Sequence, residues 1–257
     1  MEIAPRIRRV GGASIINAYL VEDGGEVTIV DAGLSRLWND LPAELAAMGR
    51  TLDDVRSIVL THGHSDHIGF AERGRAERGW PVQVHDLDAA LARGEVPNPA
   101  KKGGPMRPLP LLGFLWWSVR HGARSHHLGA VATYGDGATL DVPGSPRVTL
   151  VPGHTPGSAV LHFAGHDALF VGDAFCTYAV TTGRRGPQIA PFSADPDLAL
   201  ANLTKIEDID ASLLLPGHGE AWLAGTAAAV RSVRSAALTG QVPTDALPGV
   251  ESSRRSP

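Results

Sequence analysis

What most constrains the fold of this 257-residue chain is one short run, Thr61-His62-Gly63-His64-Ser65-Asp66-His67, which sets three imidazoles and a carboxylate directly after the apolar stretch 56–60. That stretch predicts a buried strand, and a strand that stops abruptly in polar side chains presents them at a sheet edge rather than inside the core. Alternate residues of an extended turn point the same way, so His62 and His64 share a side. A helix predicted over 65–78 puts Asp66 and His67 in its first turn, aimed at a second point close by. One segment can then serve two metal ions.

Three later segments repeat the design, each an apolar strand running out through glycine into one candidate ligand: 148–153 into His154, 168–172 into Asp173, and 213–217 into His218. Glycine allows the sharp turn at each strand end. Taken alone, Asp173 reads as a turn residue or helix cap; with the first cluster, the three converge on one edge of a sheet. Imidazole nitrogen and carboxylate oxygen suit zinc, and also iron, manganese or nickel. The lack of thiolate partners argues against a closed structural zinc site.

The full set resembles the metallo-β-lactamase superfamily, whose pattern is His-x-His-x-Asp-His followed by a His, an Asp and a His at strand ends. The likeness runs from Asn17 to His218 and includes Val30-Asp31-Ala32-Gly33, Pro152-Gly153-His154-Thr155-Pro156-Gly157-Ser158 and Gly172-Asp173. It implies an α/β (α+β) chain folded as a four-layer αββα sandwich. It also implies two divalent transition-metal ions, zinc first, with iron or manganese as alternatives. His62, His64 and His154 would hold one ion and Asp66, His67 and His218 the other, with Asp173 bridging. Asp31 would steady the metal loops, as ligating imidazoles usually require; a strand-end turn before Gly33 explains it equally well.

Departures from particular branches narrow the chemistry that the resemblance implies. Asp173 stands where one class of β-lactamase needs Cys, and β-lactamases with the same histidine motif generally lack a bridging Asp. Flavodiiron oxygen reductases carry Glu at the position of His64. Nucleic-acid-processing members bring basic domains, and glyoxalase II carries a helical domain, whereas 39 residues follow His218 here. Lactonases, thioesterases and related small-molecule hydrolases remain. The leading expectation is hydrolysis of an ester, thioester or lactone by a hydroxide held between two metals, with Asp66 and Asp173 as the catalytic carboxylates. The alternatives are an iron persulfide dioxygenase using His62, His154 and Asp173 as a facial triad, and a metal-stabilised binding protein without turnover. Tyr178 resembles a carbonyl-binding lactonase tyrosine only by its nearness to Asp173.

Composition excludes other classes. A formal charge of -4 offers no phosphate-binding surface for DNA or RNA, so a small-molecule substrate is the expected partner. The N-terminus lacks the apolar core of a signal peptide, and the most apolar stretch, 108–119, is too short to span a bilayer. Cys176 is the only cysteine, which allows no intrachain disulfide and fits a cytoplasmic setting. Arginine outnumbers lysine 20 to 3, consistent with a GC-rich bacterial genome.

We read residues 1–238 as a single domain and 239–257 as a flexible tail. Within the domain, 94–129 looks like a proline-rich insertion whose prolines prevent a continuous core element. Its Trp116 and Trp117 are candidate substrate contacts if it forms a lid. A helix over 111–119 packed on the core or in a homodimer interface is the competing reading, and Arg120, Arg124, His126 and His127 are candidates to bind an acidic substrate group. Elsewhere the pattern predicts a hairpin at 14–22 and 26–30, strands at 81–85, 147–151, 158–163, 168–171 and 211–215, and helices at 37–48, 196–209 and 225–237.

Overall fold

A computed structural model describes residues 1–100, 104–123 and 127–240. The chain opens with two short strands not anticipated from sequence, β1 (Glu2–Ala4) and β2 (Ile7–Arg9), which pair antiparallel. The expected hairpin follows as β3 (Tyr19–Asp23) and β4 (Glu26–Val30), turning on Gly24 and Gly25, both at positive φ. Strands β5 (Val55–Val59), β6 (Val82–His85) and β7 (Ala132–Tyr134) then add in parallel, giving a seven-stranded sheet in sequence order. A second sheet has the order β13-β10-β9-β8, from β8 (Arg147–Leu150), β9 (Ala159–Phe163), β10 (Ala168–Gly172) and β13 (Leu213–Pro216).

Period-two alternation along these strands builds the layers. Leu20, Ile29 and Ile58 point outward from the first sheet onto α1 (Leu41–Ala46) and Trp38, in a cluster with Phe70 and Trp80. Their neighbours Tyr19, Val21, Val30 and Val59 point inward and meet Leu161, Phe163, Phe170 and Leu215 of the second sheet. On the far side, Val160, Leu169 and Leu214 pack under Leu203, Ala229, Val230 and Val233, from the segment containing α5 (Pro196–Asn202) and from α6 (Thr226–Thr239). Three apolar interfaces separate four layers, the αββα sandwich.

Several expected elements are displaced for identifiable reasons. The helix expected at 65–78 starts only at Ala71, as α2 (Ala71–Arg78). Backbone from His67 to Phe70 bonds instead to the loop after β4: Ala32 N–H to His67 O at 2.6 Å, Gly69 N–H to Gly33 O at 2.9 Å. Asp66 and His67 therefore lie in a turn ahead of the helix. The helix expected at 37–48 is split into a 3-10 turn, Ser35–Asp40, and α1, with Pro42 in the first turn of α1 where its missing N–H costs nothing. After the short α3 (Ala89–Ala92), the insertion 94–129 does contain a continuous helix, α4 (Pro108–Arg120). Pro108 and Pro110 occupy its first turn and so do not break it. A second unanticipated hairpin, β11 (Cys176–Ala179) with β12 (Arg184–Gln188), follows Asp173. Helix α6 continues through Thr239 to Gly240, and the rest of the proposed tail lies outside the described residues.

Candidate metal centre

Seven side chains gather where β5, β8, β10 and β13 end. Donor atoms of His62, His64 and His154 lie within 4.8 Å of one another, as do those of Asp66, His67 and His218, and a third such group joins His62, His67 and Asp173. Asp173 stands between the first two groups. Its Oδ2 is 3.3 Å from His154 Nε2 and 3.2 Å from His218 Nε2, and its Oδ1 is 3.7 Å from His67 Nε2. Gly217 is required beside it, because a Cβ there would collide with Asp173 Oδ1 and the His67 ring.

Four of the rings are aimed from behind. His67 Nδ1 lies 2.9 Å from Asp31 Oδ2, and His218 Nδ1 lies 2.6 Å from Ile15 O. His154 Nδ1 lies 3.0 Å from Ser193 Oγ, whose hydroxyl donates to Ala190 O. His62 Nδ1 lies 3.1 Å from Thr61 Oγ1. Such partners hold the proton on Nδ1 and leave the Nε2 lone pair for the site. Asp31 also accepts from Thr61 N–H at 2.7 Å, and it adopts φ 58, a left-handed conformation that Asp tolerates better than most residues. It thus forms a strand-end turn and supports the ring at once.

Sequence reasoning missed Asp88. This buried carboxylate accepts from Gly63 N–H at 2.8 Å, from Thr155 Oγ1 at 2.7 Å and from Gly157 N–H at 2.7 Å, and so joins the loop of His62 and His64 to the loop of His154. Its only sequence signal is an Asp after a strand, which does not reveal two partners 67 and 69 residues away in the chain. Asn17 was missed for the same reason. It donates to Pro216 O at 2.8 Å and Gly219 O at 2.9 Å, fixing the turn that carries His218.

Burial and charge divide the titrating groups. Burial drives His62 well below the usual histidine range, helped by the adjacent imidazoles, and takes His154 down to about 3. Burial also opposes charge on His67, but the Asp31 and Asp173 carboxylates outweigh it and raise His67 to about 10. His218 is raised, burial again being overcome by Asp173. Asp173 itself is held well below the carboxylate range, because His218, His154 and His67 outweigh the cost of its burial.

The residues fit a metal. Buried His62 Nε2, His67 Nε2 and Asp173 Oδ1 have no hydrogen-bond partner, a costly arrangement in a native core unless a cation takes up the lone pairs. Above them lies a cavity of about 270 Å³, walled by Ile16, Leu34, Phe114, Leu115, Val180 and Phe192. Helix α4 covers it with Phe114, Leu115 and Ser118. Trp117 is turned away into a cluster with Ile16 and Leu34, Trp116 is 66% exposed, and Tyr178 lies on β11, so none of these three lines the cavity. Cys176 is fully buried and its thiol is pushed well above its ordinary range. Arg124 and His126 lie outside the described residues, and Arg120 and His127 do not line the cavity.

The chain is similar to known proteins over most of its length. The sequence profile of the metallo-beta-lactamase superfamily matches residues 11–218. The probable metallo-hydrolase YybB of Bacillus subtilis is 27% identical over 205 residues, covering 80% of this chain and 81% of that protein. Among solved structures, TTHA1623 in a di-iron-bound form is 25% identical, with a TM-score of 0.57 over 82% of this chain and 91% of that one. The metallo-beta-lactamase family protein TTHA1429 of Thermus thermophilus is 21% identical, with a TM-score of 0.61 over 88% and 77%.

Proposed function

Because the chain belongs to the metallo-β-lactamase superfamily, we propose that it is a binuclear metal-dependent hydrolase that cleaves an ester, thioester or lactone bond in a small molecule. The observation that carries this reading is the pair of three-residue donor groups meeting at one shared carboxylate, Asp173, beneath an apolar cavity. His62, His64 and His154 would hold one ion and Asp66, His67 and His218 the second, with Asp173 between them. Two such ions supply Lewis acidity and lower the pKa of a bound water toward neutrality.

The chain's own residues do the rest. Asp173, buried and ionised, balances positive charge that the surrounding imidazoles cannot. Asp66 is only partly buried, with Oδ2 3.5 Å from His218 Nε2, and His67 and His218 keep it ionised against the effect of its burial. Its carboxylate can accept a proton from water and return it to the leaving group. The apolar wall from Phe114 to Phe192 suits an acyl or alkyl group rather than a charged one.

Zinc is the first metal to test and iron the second, since TTHA1623 has been solved with two irons. The deciding experiment is elemental analysis of the purified chain followed by turnover on a panel of esters, thioesters and lactones. About two ions per chain together with turnover on one bond class is the expected result. One iron per chain with oxygen consumption on a persulfide substrate would favour the dioxygenase reading instead. Full metal loading with no turnover on any substrate would favour a binding protein.

A further inference from the structure

Among the described residues, nothing covers the apolar outer face of α4. Of the thirteen large hydrophobic side chains that stand exposed among the described residues, seven lie between Val96 and Val119. Leu109, Leu112, Trp116 and Val119 follow helical spacing and form one stripe, with Leu115 beside it; Leu109 is 83% exposed and Val119 71%. The opposite face, through Phe114 and Trp117, packs on Ile16 and Leu34. A helix apolar on both sides is ordinarily covered on both.

Charge indicates what covers it. Between Glu95 and Asp136 the sequence has no acidic residue and five basic ones, Lys101, Lys102, Arg107, Arg120 and Arg124, in a chain whose net charge is -4. Arg107 precedes the helix and Arg120 ends it, with the Arg120 guanidinium 5.7 Å from the Trp116 ring centroid. Arg36 donates to Arg120 O at 3.0 Å, adding another cation at that end. A second copy docking through the same face would bring two basic segments together, which costs energy. An anionic lipid surface meets both properties: headgroups neutralise the arginines, acyl chains receive the leucines, and Trp116 has the ring chemistry that favours the boundary. No described helix is long and apolar enough to cross a membrane, so the contact lies in the surface plane.

We propose that α4 docks this protein on anionic phospholipid bilayers through Leu109, Leu112, Trp116 and Val119, flanked by Arg107 and Arg120. Leu115, beside that stripe, also walls the cavity, so the docked face adjoins the site. The docking does not depend on which bond the protein cleaves.

The chain carries its own probe. Trp116 is exposed, whereas Trp38, Trp80, Trp117 and Trp222 are each at most 9% exposed, so a change in tryptophan emission on adding vesicles reports on α4. The full-length protein should shift its emission to the blue and sediment with vesicles of phosphatidylcholine doped with phosphatidylglycerol, roughly tenfold more tightly than with phosphatidylcholine alone. High salt should weaken the binding. Trp116→Phe should lose the emission change but keep sedimentation, and Leu112→Ser with Trp116→Ser should lose sedimentation at unchanged melting temperature. Equal partition onto neutral and anionic vesicles, or none onto either, overturns the proposal. So does a dimer in solution that the same double variant dissociates, which would make a second copy the occupant.

Discussion

The Asp88 carboxylate accepts the Thr155 hydroxyl at 2.7 Å while its other partners, Gly63 and Gly157, belong to two different histidine loops. A single buried anion thus sets the spacing between His62, His64 and His154. Removing it leaves the Gly63 and Gly157 N–H groups without an acceptor and the Thr155 hydroxyl with Ser158 Oγ alone. Asp88→Ala should lower stability by about 3 kcal/mol and weaken metal binding by roughly 10- to 100-fold. Thermal melts and chelator competition test this, and a variant with wild-type metal affinity would remove Asp88 from the site.

Asp31 orients His67 but does not reach the donor cluster itself. Asp31→Asn keeps the shape and loses the charge that faces His67 Nδ1, so the ion held through His67 should bind roughly 10- to 100-fold more weakly while the other is retained. Titration with a competing chelator should resolve one weakened site. Equal weakening of both sites would mean that Asp31 acts on the fold instead.

Asp173→Asn removes the negative charge shared by both donor groups. Metal content should fall below one ion per chain and turnover should fall by at least about two orders of magnitude, with the secondary structure intact by circular dichroism. Wild-type turnover in this variant would overturn its assigned role.

Metal uptake by the metal-free chain should release protons. His67, raised to about 10, and His218, also raised, carry protons at neutral pH that a cation must displace, so affinity should increase as pH rises. The sign for stability is opposite. The pairing of protonated His67 with Asp31 and Asp173 stabilises the metal-free fold fully below its unfolded value of about 6.5 and is lost as pH rises through about 10. Calorimetric titration in buffers of different ionisation enthalpy measures the proton release, and a heat independent of buffer would contradict it.

Substrate preference should follow the residues of α4 that wall the cavity. Leu115→Ala should widen the cavity and favour longer acyl chains at unchanged metal content. Trp117→Ala should instead destabilise the fold by about 3 kcal/mol, since that ring is packed against Ile16 and Leu34. A chain-length series combined with melting curves separates the two effects.

What the sequence determined by itself is the part of the protein written in local pattern. Apolar runs that stop abruptly at His or Asp, three of them through glycine, marked β5, β8, β10 and β13 and the seven side chains at their ends, because a buried strand cannot carry such groups except at its edge. The hairpin at Gly24 and Gly25 was legible for a similar reason, since its turn chemistry is local. Tertiary structure alone decided the rest. Helix α2 begins six residues later than its periodicity suggests, because the backbone of His67 to Phe70 bonds to the loop after β4. Trp116 and Trp117 are adjacent in sequence, yet one faces solvent and the other the core, since the packing of α4 on Ile16 and Leu34 sets its rotation. Asp88 and Ser193 became parts of the site only when folding brought them to loops 25 to 69 residues away, within hydrogen-bond reach of groups that burial obliges to find partners.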